Sequence, residues 1–598
     1  MPTETSTHKI SLIAMAQICA VAIILISPCY TQSSNWVVES SRTPEGRHPN
    51  ELIIWHWPYT LGDLDEDNRI DYLDQFTYGD NTGAFPATNM QGKLSSDNGF
   101  FFERLFPAIY HSSGPPNWGK PMYNWNVTAL KSPNGPQLII DHPRHDTRWV
   151  SYDMRGRLLG ELPIPFAPPP YPPMLHILFH SNAGDVNQDG WEDLTVCTMT
   201  ANVGGPHYFF GVLSGIDFST VWLRSLGNLS WYGFVRDYLS SGPPDLNSDG
   251  IQDILAATND IYGISQIHAW NGQNGNLLWT HSKSIHPSAS QWWCSVGPDV
   301  NGDEVHEIVL TAKQIYVSNI RAYPGLIQLL DGATGTPIWT TDMVELDPVW
   351  NKPLAPYGAF RTGYPAIFPD LTGDNIPDVV FPARKYDSAT GGQVLGEPKN
   401  AVYSGVDGDF HGLEDYPEDL APWNTDVFNW ERQTEHSFFG DLNGDGYPEV
   451  QIPVFAPSYN LPNNFNWWQH FVTLSRKTLS LPQQAHLGDS LSAQIDLPAA
   501  ANERVRLIAS TIFDPNSGAH IHGFKTHLGQ SSLLKSTMQN HSMSSRLDQF
   551  GKGQIDFGIP NQPWLAHNTI YLRALAADSS RPGHIRTMTT MATLEILP

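Results

Sequence analysis

The stretch Gly440-Asp441-Leu442-Asn443-Gly444-Asp445-Gly446-Tyr447-Pro448-Glu449, continuing as Val450-Gln451-Ile452-Pro453-Val454, decides how the whole chain is read. Oxygen-bearing side chains stand at every second position: Asp441, Asn443 and Asp445. A turn glycine and then Glu449 follow. Carboxylates this close repel one another unless a cation sits among them. Hard oxygen ligands suit Ca²⁺, which accepts six to eight of them in a flexible shell. Alternate positions of a tight loop point inward, Tyr447 can add its backbone carbonyl, and Gly446 permits the sharp reversal.

Five relatives share the spacing. They are Asp63, Asp65, Asp67 and Asp71; Asp185, Asn187, Asp189 and Asp193; Asp245, Asn247, Asp249 and Asp253; Asp299, Asn301, Asp303 and Glu307; and Asp370, Thr372, Asp374 and Asp378. The closing acid always falls at loop position nine. An EF-hand would place its bidentate Glu at position twelve and continue as a helix. Here the chain continues as Leu194-Thr195-Val196, Ile254-Leu255-Ala256, Ile308-Val309-Leu310 or Val379-Val380-Phe381, which are buried-strand residues. Each site therefore reads as a calcium loop between β-strands, with up to six Ca²⁺ in all. Asp-Gly-Asn clusters also make ordinary turns, but six copies with one spacing tell against that alternative. Asp67-Asn68, Asp303-Glu304 and Asp374-Asn375 lack the turn glycine, and Thr372 is a weaker ligand than Asn.

A second element follows most loops: an apolar strand, a Gly-rich turn and a closing apolar residue or Trp. Copies run through 149–159, 210–222, 267–279 and 327–339, with a shorter one at 471–479. These predict hairpins. One loop with its strands plus one hairpin makes a four-stranded unit. The loops begin at Asp63, Asp185, Asp245, Asp299, Asp370 and Asp441, so they start 122, 60, 54, 71 and 71 residues apart. The first gap is double and hides a unit around Lys131-Ser132-Pro133-Asn134-Gly135-Pro136, which has the shape without the acids. Seven four-stranded repeats predict a seven-bladed β-propeller. The segment 36–59 is placed to complete the last blade and lock the ring.

The copy Phe438-Phe439-Gly440-Asp441-Leu442-Asn443-Gly444-Asp445-Gly446 resembles the FG-GAP repeats of integrin α-subunit propellers and of many secreted bacterial proteins, where the VCBS label is also used. The resemblance covers about residues 50–482. It implies a seven-bladed ring with calcium in loops at the blade edge, and it carries over metal ligands only at the six loops named. The family is functionally broad and implies no particular partner.

Beyond the ring, 487–598 shows short alternating strands at Leu491-Ser492-Ala493-Gln494-Ile495-Asp496-Leu497, at Val505-Arg506-Leu507-Ile508-Ala509 and at Thr569-Ile570-Tyr571-Leu572-Arg573-Ala574. These predict a small accessory β-sandwich, so the fold class is all-β. Residues 75–124 read as an insertion in the first unit. Residues 1–33 carry an apolar run from Ile10 to Ile26 and read as a signal peptide, or an uncleaved anchor, for a secreted or cell-surface protein. Cys197 and Cys294, in strands of different units, read as buried thiols. Of the 598 residues 16% are charged, and the formal net charge is -26. Such acidity argues against nucleic acid and against an anionic membrane surface as partners.

No catalytic signature is present: no Gly-x-Ser-x-Gly elbow, no P-loop, no His-Glu-x-x-His and no paired-cysteine zinc pattern. The Gly275–Trp279 and Gly335–Trp339 turns are similar to those of quinoprotein propellers, but no vicinal cysteine pair accompanies them. The sequence thus predicts a monomeric, calcium-binding recognition or adhesion module for an extracellular protein or polysaccharide. The alternative is a carbohydrate-active enzyme such as a calcium-assisted polysaccharide lyase, which would need a base and a cationic group at one funnel mouth.

Overall fold

The computed structural model describes residues 36–42, 52–62, 64, 71–79, 87–93, 100–107, 127–141, 148–163, 176–202, 205–227, 231–232, 244–259, 264–284, 292–312, 315–317, 320–323, 326–342, 365–383, 386–387, 392–393, 399–415, 437–438, 441, 443–457, 467–514, 520–521, 524–540, 542–581 and 584–598. Among them lie seven four-stranded antiparallel sheets, taken up in chain order. Blade one is Leu52–Gly62, Asp71–Gly79, Ala87–Lys93 and Phe100–Pro107. Blade two spans 127–163, blade three 176–227, blade four 231–284, blade five 292–342 and blade six 366–415. Blades five and six each carry an extra two-stranded hairpin, Ile315–Val317 with Ile320–Tyr323 and Tyr386–Asp387 with Gly392–Gln393. Blade seven is composite. Its strands Ser437–Phe438, Val450–Pro457 and Trp467–Arg476 are completed by the N-terminal strand Trp36–Arg42, which pairs antiparallel along Trp467–Arg476.

The opening strands of blades one and two, two and three, and five and six lie side by side, and Leu52–Gly62 of blade one also meets Trp467–Arg476 of blade seven, so the circle closes. This is a β-propeller. Its apolar cores sit between blades rather than inside one sheet. Cys197, Phe210 and Val212 of blade three pack with Ile254, Ala256 and Trp270 of blade four. Leu255 and Ile267 of blade four pack with Ile308 and Leu310 of blade five. A sheet buried on both faces needs continuous apolar strands, and that is why the strands after each loop read as Val/Ile/Leu runs.

Three tryptophans lock successive blades. Trp222 of blade three donates its indole N–H to the Gly272 carbonyl of blade four at 2.5 Å. Trp279 does the same to Gly332 of blade five at 2.8 Å, and Trp339 to Gly405 of blade six at 2.8 Å. Each indole also lies against a second turn glycine, Gly275, Gly335 or Gly408. All three have positive φ, and a Cβ on any of them would strike the ring.

Two expectations change. The chain 471–479 is no hairpin: its strand runs Trp467–Arg476, and Leu479–Ser480 leaves the ring to pair with Ser490–Asp496. The outer position of blade seven is already taken by Trp36–Arg42, which leaves that strand no other edge to cover. Of 36–59, only the first part closes the ring, because Leu52–Gly62 opens blade one. Within 75–124, Ala87–Lys93 and Phe100–Pro107 are ordinary blade strands; 108–126 lie outside the described residues, as do 1–35.

The C-terminal part packs a three-stranded sheet (Leu479–Ser480, Ser490–Asp496, Lys552–Gly558) against a six-stranded one built on Arg504–Ser510, Thr569–Ala577 and Ala592–Leu597. Ala493, Ile495 and Ile555 from the first meet Leu507, Leu572, Ala574 and Leu594 from the second in one buried core. The helix Ser532–Gln539, capped by the Ser531 hydroxyl accepting from the Leu534 N–H, covers one side. Cys197 and Cys294 are buried free thiols in blades three and five. Among the described residues no helix is long and apolar enough to cross a membrane.

Candidate metal loops

Five of the six loops are described, and all five share one backbone. Loop position four is left-handed in each: Gln188, Ser248, Gly302, Gly373 and Gly444 have φ between 59° and 91°. Position six is left-handed as well, at Gly190, Gly250, Glu304, Asn375 and Gly446. Glu304 and Asn375 thus take the turn conformation without glycine, at a strain cost of about 1 kcal/mol each. Sequence reasoning found position six and missed position four, though Gly302, Gly373 and Gly444 were there to mark it.

The first acid organises this turn. Asp185 accepts from the Asp189 and Gly190 N–H groups, and Asp245 from Asp249 and Gly250. Asp441 accepts from Gly444, Asp445 and Gly446, Asp299 from Gly302 and Glu304, and Asp370 from Gly373 and Asp374. The second residue joins in where it is Asn: Asn187, Asn247, Asn301 and Asn443 each accept from the N–H two positions on. Then Asp189, Asp249, Asp303, Asp374 and Asp445 likewise accept from the residue two positions on. Such turns hold the acids in place but use only part of their lone pairs.

The ninth position divides the loops into two kinds. Where it is Asp, the short carboxylate is spent on the backbone. Asp193 accepts from Val186, Asn187 and the Asn187 amide, and from Gly215 in the hairpin turn. Asp253 accepts from Leu246 and Gly272; Asp378 accepts from Leu371, Thr372 and Gly405. These buried carboxylates staple loop to hairpin within a blade. Burial pushes Asp193 and Asp253 up to about 6, against the pull of those N–H groups, and Asp378 moves the same way. Where it is Glu, the longer arm reaches the acids of its own loop. Asp299, Asp303 and Glu307 bring one oxygen each within 4.8 Å of one another, and so do Asp441, Asp445 and Glu449. Glu307 is fully buried; its Oε2 accepts from Val300 at 2.6 Å, while its Oε1 is buried with no hydrogen-bond partner. Burial, reinforced by Asp299 and Asp303, raises its carboxyl to about 7. A buried carboxylate with one unpartnered oxygen, set beside two other acids, is expensive unless a cation joins it.

The remaining loops stand apart for identifiable reasons. Asp63, Asp65 and Asp67 lie outside the described residues; Asp71 is buried and accepts from the Leu64 N–H at 2.9 Å. In blade six Lys552 of the sandwich lays its ammonium 2.9 Å from Asp370 Oδ2. Burial raises the Asp370 carboxyl, but the Lys552 ammonium and the Gly373 and Asn375 N–H groups outweigh it and hold it below the usual range. Asp407 and Asp409, which imitate a metal loop, sit in the blade-six hairpin turn that joins Lys399–Tyr403 to Phe410–Asp415.

No family model matches the chain, and no curated protein matches it. Among solved structures it is similar to the Dos1 propeller, at 8% identity and TM-score 0.31 over 70% of this chain and 77% of that one. A mutant of AofleA from Arthrobotrys oligospora matches at 11% and 0.28 over 64% and 93%. BBS1N in complex with ARL6DN matches at 9% and 0.27 over 58% and 94%. Likeness at these scores carries no argument; the propeller assignment rests on the sheets and their pairing.

Proposed function

We propose that the chain is an exported, calcium-stabilised propeller serving as a recognition module for an extracellular protein or polysaccharide, in the manner of FG-GAP repeat proteins. Two observations at Glu307 carry the metal part: one of its carboxylate oxygens lies within 4.8 Å of oxygens of Asp299 and Asp303, and its buried Oε1 has no hydrogen-bond partner. A Ca²⁺ ion bridging those oxygens, and another bridging Asp441, Asp445 and Glu449, would convert repulsion into a fastening between a loop and its sheet. Blades five and seven are the two positions this reading assigns to Ca²⁺. Millimolar calcium outside the cell suits loop sites with this few carboxylate ligands.

The recognition part follows from what the ring offers: a rigid scaffold whose blade ends carry loops of variable length. Isothermal titration of the chelated protein with Ca²⁺ tests the first part, with two sites expected. A glycan array and a polysaccharide-depolymerisation screen test the second. Depolymerisation would replace the recognition reading with the lyase reading, and titration without heat would remove calcium.

A further inference from the structure

The sandwich meets the ring at two adjacent loops of the candidate type. At blade seven, the Ala499 N–H donates to the Asp445 carbonyl at 3.3 Å, and a Cβ on Gly446 would collide with Pro498 and Ala499. The Tyr447 hydroxyl donates to Asp496 at 2.8 Å, while Arg476, paired with Glu414, lies 5.5 Å over the Tyr447 ring. At blade six, Lys552 pairs with Asp370, whose side chain is 7% exposed. Asp370 is the first acid of its loop, the one that Gly373 and Asp374 fold around.

We propose that Lys552 is the resident cation of the blade-six loop, doing from the sandwich what a metal ion does in blades five and seven, and so fastening the C-terminal domain to the ring without calcium. Three features agree. An ammonium is a compact charge with three donors, able to neutralise an aspartate that is already holding its turn. The ninth residue here is Asp378, fully engaged by Leu371, Thr372 and Gly405, so it leaves no long carboxylate arm for an ion. The second ligand position is Thr372, whose hydroxyl lies 3.4 Å from Asp378 Oδ1. The blade-six loop thus lacks the features that distinguish the two Glu-closed loops and carries an outside charge instead.

The contrast with blades five and seven rests on the calcium reading, so the test separates the two. Amide hydrogen exchange is followed in loops 299–307, 370–378 and 441–449 of the full chain, with calcium and with excess chelator, for wild type, Lys552→Met and Lys552→Arg. In wild type, chelation speeds exchange in the blade-five and blade-seven loops but leaves 370–378 unchanged. Lys552→Met speeds exchange in 370–378 and 547–553 about five- to tenfold in both conditions, and Lys552→Arg retains protection. A blade-six loop that opens on chelation, or one indifferent to Lys552→Met, overturns the proposal. If chelation moves neither blade five nor blade seven, the calcium reading falls while the Lys552 variants still decide this one. The wild-type arm needs no substitution and stands if Lys552→Met does not fold.

Discussion

Trp279 of blade four and Gly332 of blade five are joined by an indole N–H donating to a backbone carbonyl at 2.8 Å, and Trp222–Gly272 and Trp339–Gly405 repeat the relationship on either side. The geometry couples two demands. Gly332 must lack a side chain, because a Cβ would overlap the His306 carbonyl, and Gly335 in the same turn must lack one because a Cβ there would strike the Trp279 ring. Trp279→Ala should therefore cost about 3–5 kcal/mol, the usual range for emptying a buried Trp site. Trp279→Phe should cost less, since it keeps much of the apolar filling and loses one hydrogen bond, worth about 1 kcal/mol. Denaturant unfolding of the two variants checks this. Equal losses would mean that the hydrogen bond, and not the packing, fastens the blades.

The ninth loop residue supplies the second prediction. Glu307→Gln should lower Ca²⁺ affinity at one site at least ~10-fold, since a ligand charge is removed while shape is kept. Asp193→Asn should leave the calcium isotherm unchanged. It should instead destabilise the fold by about 1–3 kcal/mol, because buried N–H groups lose a charged acceptor. Titration calorimetry and thermal melting on both variants give a crossed pattern. Matching effects on calcium would erase the distinction between Asp-closed and Glu-closed loops.

Much of this was written in the chain. Alternating acids, apolar strands after each loop and Gly-Trp hairpins are local signals, and each repeat restates them; the ring followed. What stayed illegible was non-local. Lys552 and Asp370 stand far apart in sequence, and nothing around Lys552 marks it as a partner of a loop acid. Trp36–Arg42 could be placed in the last blade only by its apolar content, and its register against Trp467–Arg476 needed the structure. The functional weight of Asp against Glu at position nine was visible letter by letter. Its meaning came from geometry: the Asp carboxylates accept from the loop and from the hairpin turn, whereas the Glu carboxylates, one methylene longer, come within 4.8 Å of the acids of their own loop, with Glu307 still accepting from Val300.

The closing strand makes the third prediction. Trp36–Arg42 is the outer strand of blade seven, so any cleavage of the N-terminal segment must leave residue 36 in place. A chain beginning at residue 44 would expose an unpaired strand edge, the usual template for aggregation. It should melt at lower temperature and form oligomers by light scattering, whereas a chain beginning at residue 34 should remain monomeric and as stable as the longer form.

The acidic loops also carry a pH dependence of their own. In the chelated protein Glu307 sits at about 7 against an ordinary 4.5, and Asp193 and Asp253 at about 6 against 3.8, chiefly through burial. A carboxyl whose pKa is higher folded than unfolded binds more protons in the folded state between those two values. The contribution of these three carboxyls to the stability of the metal-free chain should therefore rise as pH falls from about 7 toward 5, opposed by His268 and His306, whose burial disfavours protonation over the same range. Calcium needs Glu307 ionised, so its binding should weaken over the same interval. Melting curves at pH 8, 6.5 and 5, with calcium and with chelator, should converge as the pH drops. Curves that stay parallel would show that proton and metal do not compete for these oxygens.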